Sequence, residues 1–328
     1  MRKRPLMIIV IILAAGISLG AYVWGEMHRD PLLEVHIFQV QNSLVAFIRT
    51  PEDRRILING GPNAEVVRHI TRVLPFYSRR IDAVIAVDTQ TKNVTGLIDV
   101  INRYHISEVY VPAVTMQSIG LASSSGPAYE VFRETIANKQ VVAGEEIILR
   151  ELIAGDFVSF GDVEVTVLFP ALPEDFAYSR ASAPEAVLRI SYGKTSLLWS
   201  GTITSKIQRY VADHWEVPEF AYRKETDMNE KEVEENGGVG SIVSDVLIVS
   251  RNASTDMAVE FVRAVRHTYI VHSQAIQKVS ARAQSSLRKK SAVSVSSAFV
   301  GITSKNVINL KHSGKVVFVS DGSNIWIN

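Results

Sequence analysis

Residues 81–97 read IDAVIAVDTQTKNVTGL. The first seven are almost uninterrupted apolar residues, which suits a strand buried on both faces rather than a half-exposed one. Helical spacing resumes over 94–104, so Asp88 to Asn93 form a loop where a buried strand gives way to a helix. That loop holds one acid, one base and two amides, and no histidine. The chain has no cysteine, so disulfides, thiolate nucleophiles and cysteine zinc sites are excluded, and any metal would need His, Asp or Glu.

Outward from this stretch, LEVHIFQV (33–40), LVAFIRT (44–50) and RRILING (54–60) are short β-rich segments that predict an antiparallel meander. Glu65–Tyr77 carries Val66, Ile70, Val73 and Leu74 at helical spacing. A strand over 108–112, a helix over 127–138 and strands near 145–150, 157–160 and 163–169 complete a first half. The second half has strands at 186–192, 196–200 and 245–250, with helices at 203–214 and 255–265. A strand TYIVHS, a helix over 275–289 and a final hairpin of NVINLKH and KVVFVSD close the chain. The sum is an α/β protein with mixed sheets and one main domain over 31–328. Within it, residues 222–239, YRKETDMNEKEVEENGGV, are charged and without apolar periodicity, which predicts a flexible surface insertion.

The chain has 328 residues, 47% of them hydrophobic, enough for one well-filled core. At the start, Arg2, Lys3 and Arg4 precede an uncharged run from Leu6 to Trp24. Such a run spans roughly 28 Å as a helix, close to the hydrocarbon thickness of a bilayer. The expectation is a short cytoplasmic tail (1–5), a single transmembrane anchor (6–24) and an extracytoplasmic main domain at the cell membrane. A cleaved signal peptide is the competing reading, since Ser18 and Gly20 are small residues ahead of Ala21.

The net charge is +1, but from Phe261 onward ten Lys and Arg face one acid, Asp321, while residues 5–260 carry 22 basic and 33 acidic residues. Lys278, Arg282, Arg288, Lys289 and Lys290 fall on one expected helix. They would suit contact with an anion such as DNA or lipid headgroups; the plainer reading is a solvated helix face neutralised by the acidic body.

RTPEDRRILINGGP (49–62), RRIDAVIAV (79–87), the loop 88–93 with NVTGL after it, VLRISYGKTSLLWSGTI (187–203) and SDVLIVSRNAS (244–254) together resemble, in order and spacing, the metallo-β-lactamase-like domain of ComEC-type proteins of competence and DNA uptake. The resemblance covers about residues 33–328. It implies an αββα sandwich of two mixed sheets flanked by helices. The many-helix channel of those proteins is absent, so no transport role comes with it.

The family loop usually reads H-x-[HD]-x-D-H-x-x-G and holds two metal ions, zinc or manganese in active relatives, whose bound hydroxide attacks the substrate. Here the matching positions are Asp88, Gln90, Lys92 and Asn93. The aspartate of the family's LIDGGP strand end is Asn59, that of its TGD turn is Thr202, and the late histidines correspond to Arg251 and Asn252. Only Asp88 is a standard ligand. Carboxamides are weak neutral donors, and an ammonium about 4 Å from a divalent ion costs several kcal/mol even at an effective dielectric of about 20. The expectation is a vestigial site with no metal, no cofactor and no catalytic residue, in which Lys92 replaces the cation and pairs with Asp88 while the amides satisfy one another and the strand-end backbone.

No G-x-S-x-G, P-loop or dinucleotide fingerprint is present. Gly60 and Gly61 read as a tight turn after a strand, and His36 as a core or cross-strand histidine. Three functions follow. One is an inactive, membrane-anchored binding or scaffold module with a protein partner at the cell surface. Another is a competence-related DNA-binding component. The third is a residual nuclease-like hydrolase near Asp88, Asn59, Thr202 and His272.

Overall fold

The computed structural model describes residues 13, 14, 16–18, 20, 32–75, 77–113, 127–142, 144, 146–179, 185–215, 242–250, 257–273 and 306–328. Residues 1–5, most of 6–24, the insertion 222–239 and the expected helix 275–289 lie outside them. Among the described residues no helix is long and apolar enough to cross a membrane.

Strands β1 (Leu33–Val40), β2 (Ser43–Arg49) and β3 (Arg55–Ile58) run antiparallel, as the meander pattern requires. The β1–β2 link turns at Gln41 with φ 54°, and the β2–β3 link at Asp53 with φ 60°. From β3 the pairing becomes parallel: β4 (Arg80–Ile85), β5 (His105–Pro112) and β6 (Ile148–Leu152) follow, each reached through helical crossovers. Those crossovers are α1 (Glu65–Ile70), α2 (Thr91–Arg103) and α3 (Pro127–Val142). The second sheet contains β7 (Phe157–Phe160), β8 (Val163–Phe169), β9 (Val187–Tyr192) and β10 (Thr195–Gly201), all antiparallel. It continues in parallel through β11 (Val246–Val249), β12 (Tyr269–His272) and β13 (Val307–Asn309). Helices α4 (Ser205–Trp215) and α5 (Val259–Val265) accompany it.

Side-chain alternation sets the layers. Leu197 and Trp199 of β10 point between the sheets, into a core with Ile37, Ile48, Val165 and Phe318, whereas Leu198 points outward to α4 and α5 with Phe169, Val211 and Phe261. On the opposite face Phe47, Leu57, Leu97 and Phe132 seal α1–α3 to the first sheet. Each such side chain contributes about 1.5–3 kcal/mol on burial. Two mixed sheets with helices on both outer faces fit the αββα arrangement implied by the sequence motifs.

Two details differ from expectation. The helix predicted over 65–77 keeps its α-form only to Ile70. Beyond that, hydrogen bonding tightens into turns, with the Val73 N–H donating to Ile70 O at 3.0 Å, because Pro75 disfavours helical geometry at Leu74. The predicted terminal hairpin is not formed: β13 pairs with β12 in the second sheet, while β14 (Lys315–Ser320) pairs with β1 in the first. The chain crosses between sheets through α6 (Leu310–Ser313), which buries Leu310 in the inter-sheet core, and Gly314 with φ 69° redirects it. The last hairpin joins β14 to β15 (Ile325–Ile327) around Asp321, whose carboxylate accepts from the N–H groups of Ser323 and Asn324.

Candidate functional site

The parallel strands of both sheets end at one edge of the sandwich, where open α/β sheets commonly place their sites. Asn59 follows β3, Asp88 follows β4, Thr202 follows β10 and His272 closes β12. Hydrogen bonds link the Asn59, Asp88 and Thr202 segments.

Asn59 adopts φ 62°, a left-handed conformation that asparagine tolerates. Its side chain splices two strands: Nδ2 donates to Leu44 O at 3.3 Å, and Oδ1 accepts from the Val87 N–H at 3.2 Å. Gly61 is the turn residue, with φ 72°. Gly60 has a second role beyond the turn, since a Cβ there would lie 2.3 Å from the backbone nitrogen of Leu97, and one on Gly96 would lie 2.0 Å from Gly60 O. The glycine pair lets the first turns of α2 dock on the strand end, with the Gly60 N–H donating to Asn93 O at 2.7 Å and the Gly96 N–H to Gly61 O at 2.8 Å.

Asp88 is 1% exposed and caged by its own loop. The Gln90 N–H donates to Oδ1 at 3.0 Å, while Gln90 Nε2 (2.7 Å) and Asn93 Nδ2 (2.8 Å) donate to Oδ2. Asn93 Oδ1 in turn accepts from the Ser43 hydroxyl at 2.5 Å. The amides of Asn59, Gln90 and Asn93 thus bond a carboxylate, a hydroxyl and the backbone rather than one another. Lys92 is half-buried and makes no direct ion pair with Asp88, contrary to expectation; with the amides already saturating that carboxylate, the ammonium acts on it only at longer range.

The second half of the site centres on Glu185, which no motif comparison singled out. It is 4% exposed, and both its oxygens are taken by one residue: the Thr202 N–H donates to Oε1 at 2.8 Å and the Thr202 hydroxyl donates to Oε2. Gly201, at φ 57°, leaves the space that the Glu185 carboxyl fills, since a Cβ there would lie 1.8 Å from Oε1. The neighbouring Ala186 N–H donates to Val87 O at 2.6 Å, which holds Glu185 beside the Asp88 loop. Its signal in the sequence is one acid, in APEAVLRISY, just ahead of β9.

Burial, and then the negative charge of Asp88, push the Glu185 carboxyl up to about 7, while Thr202 and Lys92 pull it back. Burial also raises Asp88, against the hydrogen bonds of Asn93 and Gln90 and the charge of Lys92. Two buried carboxyls that feel each other resist ionising together, so the pair titrates as a unit.

A zinc or manganese ion does not fit this donor set. Among the described residues no three His, Asp or Glu side chains are grouped to hold a metal. Four oxygens of the two carboxylates and both amide oxygens of Asn59 and Asn93 already accept from protein donors. His272 is buried two strands from Gly201, roughly 10 Å by strand spacing. Arg251, Asn252 and the basic residues Lys278, Arg282, Arg288, Lys289 and Lys290 lie outside the described residues.

No family model matches the chain, and no curated protein does. Among solved structures it is similar to the metallo-β-lactamase fold protein YhfI from Bacillus subtilis, at 10% identity and a TM-score of 0.47 over 88% of this chain and 100% of that one. It is also similar to the metallo-β-lactamase SMB-1, at 12% identity and 0.38 over 68% and 79% of the two chains. A variant of the CmlA β-hydroxylase aligns at 16% identity and 0.41 over 74% and 46%. At such identities and scores, nothing about activity passes from these proteins to this chain.

Proposed function

We propose that the chain is a metallo-β-lactamase-like module, related to the ComEC-type domain, that works by binding rather than by metal-dependent hydrolysis. One observation carries this reading: among the described residues, Asp88 at a position matched to a metal ligand accepts from Gln90 and Asn93, themselves at such positions, while Thr202 donates to the buried Glu185 beside it. A metal entering there would have to displace these bonds and meet the charge of Lys92, each at a cost of order 1–3 kcal/mol. The same reading places the module outside the membrane on the anchor 6–24, with a protein partner at the cell surface.

The test is turnover. Purified full-length protein, supplied with zinc or manganese, is expected to hydrolyse neither bis-p-nitrophenyl phosphate nor nitrocefin above a metal-only control. Metal-stimulated turnover lost in Asp88→Asn would overturn the reading. The competence-related alternative rests on the basic stretch 278–290, and DNA affinity falling steeply with salt would support it.

A further inference from the structure

Away from the strand-end site, a cleft of about 290 Å³ lies against α4, close to the lower bound of small-molecule sites, roughly 300 Å³. Its floor is small and apolar, Ala154 and Ala171, and its walls are aromatic. His214 stacks on Tyr210, one helical turn earlier, with ring centroids 3.8 Å apart, and its Nδ1 bonds the Tyr210 carbonyl at 2.8 Å. Trp215 donates its indole N–H to Leu168 O at 3.0 Å, so what it offers the cleft is a ring rather than a donor. The backbone around the floor is also satisfied, with the Ala154 N–H on Pro170 O at 2.8 Å and the Tyr178 hydroxyl on Ala171 O at 2.6 Å.

Asp175 is the exception. It is exposed at the rim and forms no ion pair among the described residues, and its negative charge adds to burial in holding the Tyr210 phenol above its ordinary range. Lys206 is otherwise engaged: its Nζ sits 4.6 Å over the Phe176 ring and donates to Ala177 O.

A carboxylate with no ion pair among the described residues, beside aromatic rings and over an apolar floor with few free donors, is an environment that attracts an organic cation: the electron-rich rings and the carboxylate both favour positive charge, and the floor accepts methyl or methylene groups. We propose that this cleft binds a small organic ammonium ion, with Asp175 as counter-charge and Tyr210 and Trp215 as walls. It shares no residue with the Asp88–Glu185 network, so the proposal stands or falls separately from the reading of that site.

The experiment is calorimetric titration of the full chain with two cations and their neutral isosteres. The pairs are choline against 3,3-dimethylbutanol, and Nα-acetyl-lysine methylamide against Nα-acetyl-norleucine methylamide; the cation preferred distinguishes a free quaternary ammonium from a lysine side chain. At least one cation is expected to bind saturably about 10-fold tighter than its isostere, as one cation–π contact with a counter-charge implies. Asp175→Asn, an exposed change expected to leave the melting temperature unaltered, should abolish that preference, and Tyr210→Leu should weaken it. Equal binding of cation and isostere, no saturable binding of either cation, or a preference that survives Asp175→Asn would overturn the proposal.

Discussion

The two halves of the strand-end site solve the same problem differently. On the first sheet, Asp88 is held by Gln90 at the cap of α2 and Asn93 in its first turn, two and five positions along the chain, and Asn59 ties the neighbouring strand ends through backbone groups. On the second sheet, Glu185 depends on a residue seventeen positions away, Thr202, with Gly201 supplying the space. The local cage gives Asp88 three donors, and burial still raises its carboxyl. The long-range clasp gives Glu185 two, from one residue and in view of Asp88, and its carboxyl is pushed up to about 7. Removing Asp88 should therefore strip more hydrogen bonds, while neutralising Glu185 should show most clearly in the pH dependence.

Removing Asp88 should have the largest effect. Asp88→Ala leaves the Gln90 N–H and the side-chain amides of Gln90 and Asn93 without their acceptor, and about 3–5 kcal/mol of stability should be lost in denaturant unfolding. Next comes the docking of α2: Gly96→Ala forces a methyl against Gly60 O, and about 3 kcal/mol or more is expected, read in the same assay.

Glu185→Gln should act with the opposite sign. Because the folded-state value lies above the ordinary 4.5, the protonated form is the one the fold favours. The stability it contributes is fully present below about pH 4.5 and lost as pH rises through about 7. The wild type should thus lose on the order of 2 kcal/mol relative to Glu185→Gln between about pH 5 and 8. His267, pulled down to about 4 by burial, works the other way, stabilising above its ordinary 6.5 and failing as pH falls through 4, but it is common to both proteins and cancels in the difference. Identical pH profiles would mean that Glu185 is no proton-holding group.

Lys92→Met is the smallest change: with no direct ion pair to break, a loss of about 1 kcal/mol or less is expected, larger at pH 8 than at pH 5, where the carboxyl pair carries more of its proton. A larger loss at pH 5 would contradict the assignment of Lys92 as a long-range counter-charge.

Much of the fold could be read in the sequence, because its layers follow period-two and helical apolar spacing. LEVHIFQV forms β1 without a shifted boundary, and Asn59, Asp88 and Thr202 each follow a strand. What could not be read depended on pairing at a distance. KVVFVSD looks like a hairpin partner of NVINLKH, but the buried Leu310 diverts it to the other sheet. Glu185 is illegible for a related reason: a carboxylate at the head of β9 shows its role only when Thr202 and Gly201 lie beside it. The cage around Asp88 was half legible. Its residue types were plain, but their bonds were expected among themselves and to Lys92 rather than onto the carboxylate.

The central claim is that protein donors occupy the place of the metal ions, and elemental analysis of the full-length protein after exposure to zinc and manganese followed by gel filtration tests it most directly. Metal well below about one-tenth of an ion per chain is the result the closed network predicts; near-stoichiometric metal that is lost in Asp88→Asn would contradict it.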